Sequence, residues 1–467
     1  MRCLSFAETL RWAGWSPVFA VNREALEAVR QLSGGSTKVH VVSDRDSVES
    51  FEPFDVVVVD HYDLGEDFER PLVDAGKTVV ALDDVCHRRH AAQILVDSSP
   101  QRGADHYADL VSAGCRVLTG PRYALIAGRW RRLRKSSRAR HGEMREVGHV
   151  MISMGATDPG DASTKIVSAL DAAGLRIRSD IVLGPSAPHH QALSRALKPW
   201  MDLLIDPVDF PDRVAQADIV IGAPGQSSLE RATLGVPSLI IPVADNQNDL
   251  CEMLERSGAA ECLPREMLDD PERLGQRISG LVADAERRVS LSRAAAQLVD
   301  GRGALRLLCA LCGEYATYNG LTLRLRLAEE RDGDWLLALQ HQPATRRYAR
   351  NPEIPRADQH ANWFAAVLDD LDRVLLIVET LEDEPAGFVR LDRLEADDTA
   401  SFEVSIAIDE AFHRRGVGSA ALALARRFSP CSELIATVLQ GNVASEKLFA
   451  AMGYRREGEQ RFRLVPS

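Results

Sequence analysis

Asp218–Gln247 reads DIVIGAPGQSSLERATLGVPSLIIPVADNQ, and the order of its patterns decides the fold. A short apolar run, DIVIG, gives way to the small-residue turn APGQSS. A helical stretch LERATLG follows, then a second apolar run, PSLIIPV, and the polar loop ADNQ. One apolar run is ambiguous, but strand, helix and strand at this spacing predict a parallel crossover with a cleft at the strand ends. The turn delivers Ser227 and Ser228 to the first helical turn. Free N–H groups and the helix dipole favour an anion there, which suits a diphosphate. Ser227-Ser228-Leu229-Glu230 also reads as a capping box, with Glu230 reaching back to the cap. Spacing alone leaves both readings open.

The stretch resembles the nucleotide-binding half of the PseG hydrolases of pseudaminic acid biosynthesis, relatives of the MurG-like GT-B glycosyltransferases. That resemblance implies a UDP site at Gly222, Gly225, Ser227, Ser228 and Glu230, with Glu230 on the ribose hydroxyls. It also implies that Asp245, Asn246 and Gln247 face the sugar and diphosphate, with Asn246 among the catalytic groups. Family members often carry an aromatic residue before the Glu; this chain has Leu229.

Working outward, the 467 residues suggest about three domains. A hydrophobic content of 45% and a charged content of 27% are those of an ordinary soluble globular protein. The net charge of −12 argues against sequence-independent nucleic-acid binding. Arg129–Arg140, RWRRLRKSSRAR, is locally basic and aperiodic, and is expected to be a solvated linker. Eight irregularly spaced cysteines suggest reduced thiols, and Cys309–Cys312 has no second pair to complete a zinc site. No metal site, signal peptide or membrane span is expected, so the location read from the sequence is cytoplasmic. Oligomeric state is not legible.

Toward the N-terminus, a helix is expected to lead into a strand over residues 1–22, followed by a helix at Glu24–Leu32 and a strand at Lys38–Val42. Met1-Arg2-Cys3-Leu4 resembles the residues that follow the family's G-x-G-H turn, whose His serves as base or positions water. The expectation is a true start upstream, and no hydrolase activity from the chain as written. Phe54–Tyr62, FDVVVVDHY, reads as a buried parallel strand ending in polar residues. By resemblance its Asp60, His61 and Tyr62 are the family's D-H-Y, with Tyr62 near the sugar and a catalytic candidate. Asp83 and Asp84 resemble its I-D-D and are expected in supporting roles. Val147–Pro159 opens a second lobe and resembles the family's I-S-F-G-G-S-D-P, which implies that Gly155 and Thr157 bring backbone toward the ligand; an ordinary tight turn is the alternative. Asp300–Gly303 matches the family's D-G-x-G.

From Leu321 the pattern changes to strands and a hairpin, and then SFEVSIAIDEAFHRRGVGS at Ser401–Ser419 runs into the helix AALALARRF. An alternating strand feeding a Gly-containing loop at a helix start points to an anion site. The loop resembles the pyrophosphate loop of GNAT acetyltransferases, with His413 at the usual Gln/Arg position. Strand LIATVL, then Asn442, a helix and Gly453-Tyr454 resemble the GNAT C-terminus. The resemblance implies acetyl-CoA as co-substrate, held by Ile406, Arg414, Arg415, Gly416, Val417, Gly418, Ser419, Asn442 and Phe449. Phe449 stands where many GNATs have the Tyr that protonates the leaving thiolate. Glu403 is the candidate base, against its alternative as a solvent-facing strand acid. Thr345–Phe364 resembles the acceptor segment of PseH-type N-acetyltransferases, implying substrate contacts from Asn351, His360 and Trp363.

The expected fold is α/β, with two Rossmann-like lobes in a GT-B-like arrangement at 1–146 and 147–318, followed by a GNAT α+β domain at 319–467. The expected activity joins hydrolysis of a UDP-linked amino-dideoxy sugar to its N-acetylation, without nucleic acid or membrane as partners. A glycosyltransferase, or an inactive sugar-nucleotide module beside a live acetyltransferase, is the alternative.

Overall fold

The structure is a computed structural model that describes residues 2–23, 26, 38–42, 51, 53–99, 102–394 and 400–466. The expected helix at Glu24–Leu32 lies outside these residues apart from Leu26. The chain forms two compact units, one of Arg2 with Phe54–Gly303 and one of Cys3–Pro53 with Ala304–Ser467. The described residues of Cys3–Pro53 thus group with the C-terminal residues.

The first unit holds two parallel sheets. One has four strands in sequence order, Val56–Val59, Thr78–Leu82, Ile94–Asp97 and Arg116–Thr119. The other has six, running Glu261–Cys262, Ser238–Ile240, Ile219–Gly222, His149–Ser153, Arg178–Leu183 and Met201–Ile205 across the sheet. Every pairing in it is parallel. Chain order therefore reverses between His149–Ser153 and Ile219–Gly222, the doubly wound arrangement with a crevice at the reversal.

Alternation along these strands splits the core into two layers. Val150, Ile152, Ile181, Leu183, Ile219 and Ile221 face one layer with helices Ala162–Ala172 and Pro271–Ala283. Met151, Val182, Val220 and Ile240 face the other, with Leu229 of helix Gln226–Leu234 and Trp130 of helix Gly128–His141. The expected basic linker is thus a helix. Its buried Trp130, Ser137 and His141 line the side packed on helices Gln226–Leu234, Phe210–Gln216 and Ala285–Leu298. Its arginines have a structural use, since Arg134 donates to the carbonyls of Thr233, Ala296 (2.7 Å) and Val299 (3.0 Å). A guanidinium there satisfies helix-end carbonyls and complements their dipoles.

The second unit is built on an eight-stranded sheet from Glu314–Ala316 to Arg455–Glu457, antiparallel except where Ser401–Ile408 meets Glu433–Thr437. Helix Val417–Phe428 packs against this sheet, and helices Gly333–His341 and Ala357–Asp369 share a core with it. Cys3–Pro53 adds helix Arg2–Trp12 and a parallel pair, Val18–Val21 with Lys38–Val41. Trp12 meets Phe402 edge-on at 5.2 Å, Trp15 Nε1 donates to Phe428 O at 3.0 Å, and Ser429 Oγ donates to Ala13 O at 2.7 Å.

Candidate functional sites

Three neighbouring strands of the six-stranded sheet release their C-terminal ends at the reversal point. After His149–Ser153 comes Gly155, at φ +101° with open space where a Cβ would stand. The exposed Thr157 follows. After Ile219–Gly222 comes the turn to helix Gln226–Leu234, and after Ser238–Ile240 the turn Asp245–Gln247. Gly155, Gly225, Ser227, Ser228, Glu230, Asp245, Asn246 and Gln247 thus come from the ends of three adjacent strands.

The capping-box reading does not hold. The helix starts at Gln226, so the cap is Gly225, which offers no side chain to the first helical N–H groups. Ser228 Oγ instead accepts from Gly225 N at 3.2 Å and donates to Ala223 O at 3.3 Å, bracing the turn. The neighbouring helix Ala162–Ala172 is different, because the Asp158 carboxylate accepts from Ala162 N and Ser163 N, each at 2.9 Å. One helix start is filled by the chain's own carboxylate, while the other has no side-chain cap, an arrangement suited to an anion. Burial pushes the Glu230 carboxyl up to about 7, against the pull of Arg129 and Arg231. Asp245 and Asn246 are exposed, while the Gln247 side-chain carbonyl accepts from Val243 N at 2.8 Å and pins the loop.

Asp60, His61 and Tyr62 lie on the other sheet, after Val56–Val59. Arg2 clamps the strand ends there, donating to Asp60 Oδ1 (3.0 and 2.7 Å) and to Asp84 Oδ2 (3.0 Å). His61 Nδ1 accepts from Asp63 N at 3.0 Å, and the Tyr62 ring is 63% exposed with its carbonyl held by Arg88. Asp83 points inward to buried His90 and accepts from Val85 N (3.1 Å) and Cys86 N (3.2 Å), consistent with a supporting role.

In the second unit, Ser401–Ile408 pairs with Glu433–Thr437 only over Ser401–Glu403, and residues 404–408, Ile406 among them, continue without that neighbour. The strands part at Glu403, leaving backbone amides along one edge. The loop beyond reaches Gly416 at φ +81°, the N-cap of helix Val417–Phe428, which has no side-chain cap. Arg414 is also left-handed at φ +60°, and Arg415 stacks over Phe412 at 5.1 Å. Val417, Gly418 and Ser419 form the first helical turn. Their N–H groups, the two arginines and the open edge form a cradle fit for a diphosphate carried on an extended amide arm.

Glu403, at the fork, is ion-paired with Arg350 and accepts from Thr437 Oγ1 at 3.0 Å. Burial opposes ionisation, yet Arg350 and Thr437 win and hold the carboxyl below its usual range. Tyr348 OH donates to Gly441 O at 3.0 Å, so residues 348–350 are tied to both branches of the fork. Asn442 caps helix Val443–Ala451 through Oδ1, accepting from Ser445 N at 3.1 Å. Phe449 is only 3% exposed, 4.9 Å edge-on from Tyr454 and 6.1 Å from Phe462, which gives it a core position. His360 is likewise buried, beside Trp363 (5.3 Å) and Phe364 (6.1 Å). The exposed Asn351 folds its side-chain carbonyl onto Glu353 N at 3.0 Å.

Sequence reasoning missed Arg2, Asp158, Arg350 and Arg231. A signal for Arg231 exists, because it falls three and four residues after Ser228 and Ser227 on one helix face.

The fold and site define a chain that joins a doubly wound α/β unit to an acetyltransferase-type sheet with a parted strand pair. Residues 322–455 match the family model described as "Acetyltransferase (GNAT) domain". Across nearly its whole length the chain is similar to an uncharacterized protein of Methanocaldococcus jannaschii, 20% identical over 97% of this chain and 93% of that one. It is also similar to the spore coat polysaccharide biosynthesis protein SpsG of Bacillus subtilis, 25% identical over 43% of this chain and 59% of the relative. A third relative is the UDP-2,4-diacetamido-2,4,6-trideoxy-beta-L-altropyranose hydrolase of Campylobacter jejuni, 29% identical over 26% of this chain and 41% of that enzyme. Among solved structures, MurG of Acinetobacter baumannii aligns with 66% of this chain and 93% of its own, at 14% identity and a TM-score of 0.48. The chain therefore carries a GNAT acetyltransferase domain behind a region similar to nucleotide-sugar enzymes.

Proposed function

We propose that the chain performs two consecutive steps on one UDP-linked amino-dideoxy sugar in the cytoplasm. The GNAT domain acetylates the sugar's 4-amine from acetyl-CoA, and the GT-B-like half lets water displace UDP from C1, releasing a 2,4-diacetamido-2,4,6-trideoxy hexose. The observation that carries this reading is the convergence of Gly155, the 222–228 turn and the Asp245 loop at the reversal of strand order. Similarity to the Campylobacter hydrolase supports the substrate class.

Uncapped N–H groups at Gln226 and Ser227 would hold the diphosphate and stabilise charge developing on departing UDP. Glu230 would take the ribose, while Asn246 and Tyr62 would address the sugar. On the acetyltransferase side, Arg414, Arg415 and Gly416–Ser419 would grip the pyrophosphate of acetyl-CoA, and the edge at Ile406 its amide arm. Acetyl-CoA supplies the activated acyl group. Glu403 would accept the proton of the attacking amine, which requires Arg350 to yield its place. His360 and Phe449 would shape these surroundings from the core rather than by contact, and Trp363 and Asn351 would flank the acceptor.

The test is chromatography of this chain with the 4-amino UDP-sugar and acetyl-CoA, following free CoA, the acetylated UDP-sugar and UDP. Release of CoA followed by UDP supports both steps, and release of CoA alone is the outcome expected if the hydrolytic step needs the histidine of the family's G-x-G-H turn. Transfer of the sugar to an added acceptor would instead make the first unit a glycosyltransferase, and UDP binding without turnover would make it a substrate-holding module.

A further inference from the structure

Arg231 is 1% exposed in helix Gln226–Leu234, an unusual burial for a guanidinium. Its side chain runs back toward the helix start, as helical side chains do. There Nη1 donates to Ser227 Oγ at 3.2 Å, and Nη2 donates to Ser228 Oγ at 3.0 Å and Ala223 O at 3.2 Å. Its Nε is buried with no acceptor among the described residues. Gly222 makes room for it, since a Cβ on Gly222 would stand 2.9 Å from Nη1. The guanidinium therefore lies directly beneath the turn whose outer side is open at Gly225.

Three neutral oxygens satisfy hydrogen bonds but do not neutralise a charge. Burial pulls the Arg231 pKa down to about 10, and the acid opposing that pull is Glu230, itself raised to about 7. An apolar side chain could fill the same space without the desolvation cost. The contrast with Asp158 is informative: where the chain supplies its own carboxylate it closes a helix start, and here it supplies a cation under an uncapped one.

We propose that Arg231 is a positioning residue for a nucleoside diphosphate, a buried fixed charge that holds the 223–228 turn and is balanced by the diphosphate when it binds. This rests on the nucleotide reading of the same turn. It separates ligands by charge, because UDP and inorganic pyrophosphate engage the charge and uridine does not.

The experiment is titration calorimetry of the full chain with UDP, uridine and pyrophosphate, for the wild type, Arg231→Met and Arg231→Lys. Expected for Arg231→Met is UDP and pyrophosphate binding weakened 10-fold or more, uridine unchanged within 2-fold, and thermal stabilisation by UDP largely lost. Arg231→Lys keeps the charge and should retain most UDP affinity, which serves as the test if the Met variant fails to fold. Equal weakening toward UDP and uridine would make the residue merely structural and overturn the proposal, as would unchanged UDP affinity. Wild-type protein that binds pyrophosphate but not UDP removes the nucleotide reading and leaves Arg231 to be judged on pyrophosphate. Wild-type protein that binds neither overturns both.

Discussion

His90 is 2% exposed, with Nδ1 2.7 Å from Glu69 Oε1 and Nε2 3.4 Å from Asp83 Oδ2. Burial alone would push its pKa down, but the two carboxylates overcome this and hold it at about 9, while Asp83 is held at about 2. A histidine whose folded pKa lies above its unfolded value stabilises fully below the unfolded value, and loses that contribution as pH rises through the folded one. Stability of the unit containing Phe54–Gly303 should therefore fall between pH about 6.5 and about 9, by at most about 3 kcal/mol. Asp83 runs the other way, its contribution fading as pH drops from 3.8 toward about 2. Urea melts of the wild type and His90→Gln from pH 6 to 9 check this. An equal slope in both proteins removes His90 as the cause. None of this was visible in CHRRHAAQIL, because the partners lie 7 and 21 residues before His90.

At the scale of elements, helix Pro271–Ala283 shows what close packing demands. A Cβ on Gly275 would stand 2.6 Å from Ala169 O and 2.9 Å from Ala173 Cβ, whereas one on Gly280 would meet nothing within 4 Å. Alanine raises helix propensity at both positions by about 1 kcal/mol. Gly280→Ala should therefore raise stability by roughly 0.5–1 kcal/mol. Gly275→Ala should lower it by roughly 1–3 kcal/mol as two helices are forced apart. Thermal melts of the two variants decide, and a stabilising Gly275→Ala would show that the helices slide freely. Helix Gly128–His141 carries the opposite lesson about legibility. Its charged sequence read as a linker because its burial depends on helix ends distant in the chain, met by Arg134, and on the Ala217 carbonyl, met by His141 Nε2 at 2.8 Å.

For the whole molecule, the division into units shows that sequence neighbours do not always fold together. Cys3–Pro53 joins Ala304–Ser467 through Trp12 on Phe402 and Trp15 on Phe428 O. Trp12→Ala in the full chain should lower the melting of the acetyltransferase unit by about 2 kcal/mol, less than a fully buried Trp because the ring is half-buried. Hydrogen exchange across residues 401–408 should rise with it, and unchanged exchange would mean the contact does not support that strand. The sequence by itself determined the local grammar: strand, Gly-rich turn and helix at Asp218–Leu234, the parallel α/β class, and the acetyltransferase loop at Ser401–Ser419. The first two follow from side-chain periodicity and the backbone freedom of glycine, which act over a few residues, whereas the acetyltransferase reading of the third rests on its resemblance to the GNAT pyrophosphate loop. Only tertiary structure decided which start at the strand reversal stays uncapped, that Arg231 is buried under it, that Arg350 occupies Glu403, and that Phe449 and His360 face the core. Each depends on which distant groups share a low-dielectric space, and there Coulombic and packing energies override what neighbours in sequence prefer.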